Sequence, residues 1–131
     1  MSIDITISQN ISGEHETIDG HKREEIRKIT VAEGVTEIGE EAFLMFENCV
    51  EVTIADSVIK LGAGAFEGCM KLQKVHLGTG IKELPDHCFN NCQELVEINL
   101  NDDITSMGEQ CFNQCMKLVP HFPSSLALLD A

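Results

Sequence analysis

Phe66-Glu67-Gly68-Cys69-Met70-Lys71-Leu72 is the stretch that decides the fold. It returns as Phe89-Asn90-Asn91-Cys92-Gln93-Glu94-Leu95 and again as Phe112-Asn113-Gln114-Cys115-Met116-Lys117-Leu118. The phenylalanines stand 23 residues apart, and Phe43 lies 23 before Phe66. A fixed period of this size marks a solenoid. Each unit is too small to bury its own apolar face and does so by stacking on its neighbours.

Aligned at that period, the chain resolves into apolar columns. Ile29, Val52, Val75 and Ile98 form one, and Val31, Ile54, Leu77 and Leu100 form another. Thr30, Thr53, His76 and Asn99 lie between them and should point outward, as alternation in a short strand requires. Turn residues follow near Glu33-Gly34, Asp56-Ser57, Gly78-Thr79-Gly80 and Asn101-Asp102-Asp103. Next come the inward pairs Val35/Ile38, Val58/Leu61, Ile81/Leu84 and Ile104/Met107. Gly39, Gly62 and Gly108 close that segment, with Pro85 in the third unit. A short helical piece is expected over 41–46, 64–69, 86–92 and 109–115. There Phe and the residue three further on share one side. Phe46 replaces the small thiol of the first unit, and Cys49 replaces the leucine. Matching Asn48-Cys49 to Asn91-Cys92 would break the strand register, so the 23-residue alignment stands.

The expected fold is therefore a repeat solenoid of leucine-rich-repeat type. It is a right-handed coil of about four to five turns, with short parallel strands on one face and short helical or 3-10 turns opposite. Residues 1–25 are expected to cap it with a strand or hairpin, because Ile3, Ile5 and Ile7 alternate with polar residues. Residues 26–118 are the repeats. Residues 119–131 form a degenerate last turn or C-terminal cap, since Pro120 and Pro123 oppose a further interior strand.

The unit combines Gly39-x-x-Ala42-Phe43, Gly62-x-x-Ala65-Phe66 and Gly108-x-x-Cys111-Phe112 with a following Cys-x-x-Leu. It resembles the BspA-type leucine-rich repeat, a subclass also known from a Treponema leucine-rich protein. The resemblance covers residues 26–118. It implies a slightly curved parallel solenoid, binding rather than catalysis, and kinship with surface adhesins of bacteria and protists. It supplies no catalytic residues to carry over.

The chain has 22 acidic and 9 basic residues, a formal charge of −13, and the excess sits beyond residue 28. Such a field opposes nucleic acid and anionic membranes and favours basic protein partners. The first ten residues lack a basic start, an apolar core and a cleavage signal. A cytoplasmic place is expected on that ground, or an extracellular one if the chain is cut from a longer protein.

Candidate chemistry is sparse. Cys88, Cys92, Cys111 and Cys115 could form a four-thiolate metal site. They share columns with Ala42, Ala65 and Phe46, however, so buried packing is expected, with no metal and no cofactor. No triad, phosphate loop or metalloprotease motif is present, and an enzyme is not expected. The outward residues Glu51, Thr53, Lys74, His76, Glu97 and Asn99 make a grid that, with Lys28 and Thr30, alternates in charge from turn to turn. These six are the candidate partner-binding residues, although the same alternation would serve cross-strand pairing. Glu37, Lys60, Glu83 and Ser106, with Glu40, Asp86 and Glu109, form a second surface whose carboxylates could cap exposed amides. The expected function is a non-enzymatic protein-interaction module. The alternatives are a structural repeat protein that self-associates weakly through its ends, and a piece of a larger adhesin array.

Overall fold

The computed structural model describes residues 3–100 and 102–118. In chain order the strands are β1 (Ile3–Ile7), β2 (Thr17–Ile18), β3 (His21–Lys22), β4 (Ile26–Val31), β5 (Glu37–Ile38), β6 (Glu51–Ile54), β7 (Lys60–Leu61), β8 (Lys74–His76), β9 (Glu83–Leu84), β10 (Glu97–Ile98) and β11 (Ser106–Met107). β1, β4, β6, β8 and β10 form one parallel sheet in that order. Its register places Ile29 beside Val52 and Val52 beside Val75, so each turn lies on the same residues of the next. A second wall is built from the parallel pairs β5–β7 and β9–β11. The result is a parallel solenoid whose repeats follow the 23-residue columns.

The core is the space between these walls and the phenylalanine segment. Val35, Ile38, Phe43, Phe66, Leu72, Ile81, Phe89 and Leu95 are fully buried. The rings of Phe43, Phe66, Phe89 and Phe112 stack with centroids 5.3, 5.5 and 5.6 Å apart. Burial of a Phe side chain stabilises by about 2–3 kcal/mol, and ring pairing adds about 1 kcal/mol. Phe46 meets Phe43 edge-on at 5.4 Å, while Cys49 is fully buried in the leucine column. The large-for-small exchange at 46 is thus matched by a small-for-large exchange at 49, and the β4–β6 register is preserved.

The short helical pieces expected opposite the strands are not helices. Among the described residues the one 3-10 turn is Arg23–Glu25, outside the phenylalanine segments. Each segment is a run of turns in which two backbone positions take positive φ. They are Glu41 and Met45, Gly64 and Gly68, His87 and Asn91, and Gln110 and Gln114. These reversals turn alternate N–H groups out of the segment. Glu41, Phe43 and Met45 then donate to the carbonyls of Ala63, Ala65 and Glu67 in the next turn. Gly64, Phe66 and Gly68 donate likewise to Asp86, Cys88 and Asn90, and His87, Phe89 and Asn91 to Glu109, Cys111 and Asn113. An i to i−4 ladder would satisfy the same groups locally but would not join the turns. Neighbour pairing satisfies them and closes the third wall of the solenoid.

The N-terminal stretch holds an irregular turn of the same coil. Ile5 and Ile7 sit beside Ile29 and Val31, and Ile11 bridges to Ile38 on the second wall. Ile26, fully buried, precedes Cys49, Leu72 and Leu95 in their column. The antiparallel pair β2–β3 stands where later turns have the phenylalanine segment. Residues 119–131, read from sequence as a last turn or cap, lie outside the described residues, as does Asn101.

Candidate functional site

The six candidate residues lie together on the outer face of the five-stranded sheet. Glu51 pairs in register with Lys74, Lys74 with Glu97, and Thr53 with His76. β-strand alternation gives these positions their outward direction, because their neighbours Val52, Ile54 and Val75 are buried. The structure adds Asp4 to the column, beside Lys28. The strict period misses it, since the register shifts between Ile3 and Asp4 and leaves Asp4 24 residues before Lys28. The column therefore reads Asp4, Lys28, Glu51, Lys74, Glu97, with the sign of charge changing at every strand.

Much of that charge is paired within the sheet. Lys28 Nζ lies 3.6 Å from Glu51 Oε1, and Lys74 Nζ lies 4.0 Å from Glu97 Oε2. His76 Nε2 lies 3.4 Å from Glu51 Oε2. These side chains are a third to three-fifths exposed. Open pairs of this kind are worth about 0–1 kcal/mol each. Asn99 is committed differently. Its Oδ1 accepts from the Leu77 N–H at 2.6 Å, and its Nδ2 donates to the Leu77 carbonyl at 3.0 Å. The amide stands in for a peptide group and continues the ladder past His76.

The second surface gathers into a groove of about 550 Å³ at the glycine bend. Glu37, Glu40, Glu83 and Asp86 line it with Lys60 and Ser106. Gly62 lets the turns stack closely at this bend, because a Cβ there would overlap the backbone of Gly39 and Glu40. The capping expected of these carboxylates occurs once between turns. Asp86 Oδ1 accepts from the Glu109 N–H at 2.7 Å.

The cysteines face inward. Cys69, Cys92 and Cys115 donate their thiol protons to the carbonyls of Phe43, Phe66 and Phe89 at 3.3, 3.2 and 3.1 Å. Burial pushes Cys69, Cys88 and Cys92 well above the ordinary thiol range, and raises Cys49 and Cys111 to about 12 and Cys115 to about 11. Buried and hydrogen-bonded to main chain, these side chains pack between the turns. Among the described residues no cluster of metal-ligating side chains is found, and no helix is long and apolar enough to cross a membrane.

Compared with known proteins, residues 21–130 match the BspA type leucine rich repeat region, in six copies. The chain belongs to the BspA-type leucine-rich repeat family. Repeats of this family commonly serve protein interaction or adhesion, and the fold is generally a non-enzymatic one. Among solved structures, a leucine-rich repeat protein from Bacteroides ovatus aligns with TM-score 0.67 and 24% identity over 78% of this chain. The Treponema pallidum leucine-rich repeat protein aligns with TM-score 0.66 and 26% identity over 89% of the chain. A leucine-rich cell surface protein from Faecalibacterium prausnitzii aligns with TM-score 0.51 and 20% identity over 88%. This BspA-type chain spans 32% of the Bacteroides protein, 64% of the Treponema protein and 46% of the Faecalibacterium protein. No curated protein matches it.

Proposed function

We propose that the chain is a non-enzymatic protein-interaction module that engages its partner on the outer face of the five-stranded sheet. The observation that carries this reading is the register. Glu51, Thr53, Lys74, His76 and Glu97 stand on adjacent strands of a backbone that is already ordered. Binding to a preformed sheet costs little ordering entropy. The cross-strand ion pairs are loose and exposed, so a partner can replace them at small cost. Asn99 supports the face from its edge through Leu77. The acidic balance favours a basic partner and faster encounter at low salt.

The test is a partner recovered by crosslinking with the wild-type chain and then purified. Titration against a Lys74→Ala/His76→Ala/Glu97→Ala variant should weaken binding about tenfold or more. An unchanged affinity sinks the strand-face reading. The bend groove is a second reading, favoured by its four carboxylates against one ammonium. Loss of binding in Glu83→Lys/Glu37→Lys, with the strand-face variant intact, would select it.

A further inference from the structure

β1 ends the five-stranded sheet, and among the described residues only β4 pairs with it. In a parallel strand the peptide groups point alternately to the two sides. One edge of Ile3–Ile7 thus presents donors and acceptors that β4 does not use. The strand is firmly seated, because Ile5 and Ile7 are buried against β4. The edge carries neither proline nor lysine, and its one charged residue is Asp4. Its charge is also uncompensated on that side. Lys28 directs its ammonium to Glu51, and Asp4 is exposed at the end of an alternating column. A groove of about 390 Å³ opens here, lined by Thr6, Ile7, Ser8 and Asn10 and, from the hairpin, by Ile18 and Asp19.

We infer that the free edge of β1 takes up an extended segment of a basic protein partner as an added strand, with a lysine or arginine set beside Asp4. Main-chain pairing to the edge supplies the affinity, and side chains of alternate residues supply the choice of partner. A cation beside Asp4 continues the alternation, whereas an anion would place like charges on adjacent strands. The groove meets β1 at Thr6 and Ile7, where it gives space for side chains of the added strand, and Asp19 supplies it with a carboxylate apart from Asp4. This edge adjoins the outer sheet face and shares Asp4 with its column, but it uses none of Glu51, Thr53, Lys74, His76 and Glu97, and neither proposal depends on the other.

The probe is a labelled peptide, Ile-Arg-Lys-Ile-Thr-Val, which copies β4, the strand that already pairs with β1. Its binding to the full chain is followed by fluorescence anisotropy. Saturable binding is expected. Replacing the peptide lysine by glutamate should weaken it about fivefold, as should Asp4→Lys in the chain. Combining the glutamate peptide with Asp4→Lys should restore it, which a folding defect would not do. N-methylation of alternate peptide nitrogens should abolish binding, because it removes the main-chain donors. Absence of saturable binding, or indifference to N-methylation, overturns the proposal. A concentration-dependent dimer in sedimentation, dispersed by the peptide and insensitive to the sign at position 4, overturns it in favour of a second copy as the occupant.

Discussion

Cys92 gives its thiol proton to the carbonyl oxygen of Phe66, 26 residues earlier, at 3.2 Å. The contact joins two turns through the core. It recurs between Cys69 and Phe43 and between Cys115 and Phe89. The thiol is thus a small apolar body with one directed bond, which alanine cannot reproduce.

Cys92→Ala should lower unfolding free energy by about 1–2 kcal/mol, through lost packing and the loss of one of the two hydrogen bonds to the Phe66 carbonyl, which keeps the Cys69 N–H. Cys115→Ala should cost less, because Cys115 is only half-buried. Urea unfolding of the two variants beside wild type measures the difference.

Stability should fall in alkali. Cys69, Cys88 and Cys92 are held above their ordinary value of 9.0 by burial, so above that pH the unfolded chain releases protons that the folded chain keeps. Fewer protons on the unfolded state make the slope of stability against pH negative. The contribution is fully present below pH 9.0 and is lost as pH rises towards the folded values. Each such thiol contributes about 1.4 kcal/mol of loss per pH unit. Thermal midpoints measured from pH 8 upward should drop once the unfolded thiols ionise, at about pH 8.5–9. Cys88→Ala should make the drop shallower.

Phe66→Ala should cost about 3–5 kcal/mol. Its ring is fully buried between those of Phe43 and Phe89. Phe112 is partly exposed, and Phe112→Ala should cost less. Equal losses, read from denaturant midpoints, would mean that the stack does not govern stability turn by turn.

Gln110→Gly should stabilise. Gln110 holds φ at 54°, where a side chain costs about 1 kcal/mol, and its exposed side chain has no core role to lose. Glycine removes that strain and adds some unfolded-state entropy, for a net gain of about 0.5 kcal/mol. Gln110→Ala keeps the strain and should leave the midpoint nearly unchanged.

The columns were legible because a side chain that repeats every 23 residues meets its own kind in the next turn. That physical constraint exposed the strands, the inward pairs and the phenylalanine stack. Phe and Cys at i and i+3 share a side in a helix and in this run of turns alike, so that spacing alone predicts a helical segment that the backbone does not form. The discriminating signal was Gly64, Gly68 and Asn91, residues suited to positive φ, in columns that also hold Glu41, Met45 and His87. Asp4 escaped through the register shift at Ile3. The tie between Asn99 and Leu77 escaped because an outward column position does not reveal where an amide turns. The candidate residues could be placed on one face from sequence, but their mutual pairing needed coordinates.

The wall formed by the phenylalanine segments has a direction. At each of its three junctions, three N–H groups point towards the later turn and meet carbonyls there, and none of these bonds runs the other way. Peptide dipoles add when they are aligned head to tail. In this wall they align along the stacking direction, across the chain rather than along it. This wall therefore carries an electric axis with its positive end at the last turn, set against the other two walls, where N–H groups such as those of Val50 and Gly62 point back to the carbonyls of Arg27 and Ile38 in the earlier turn.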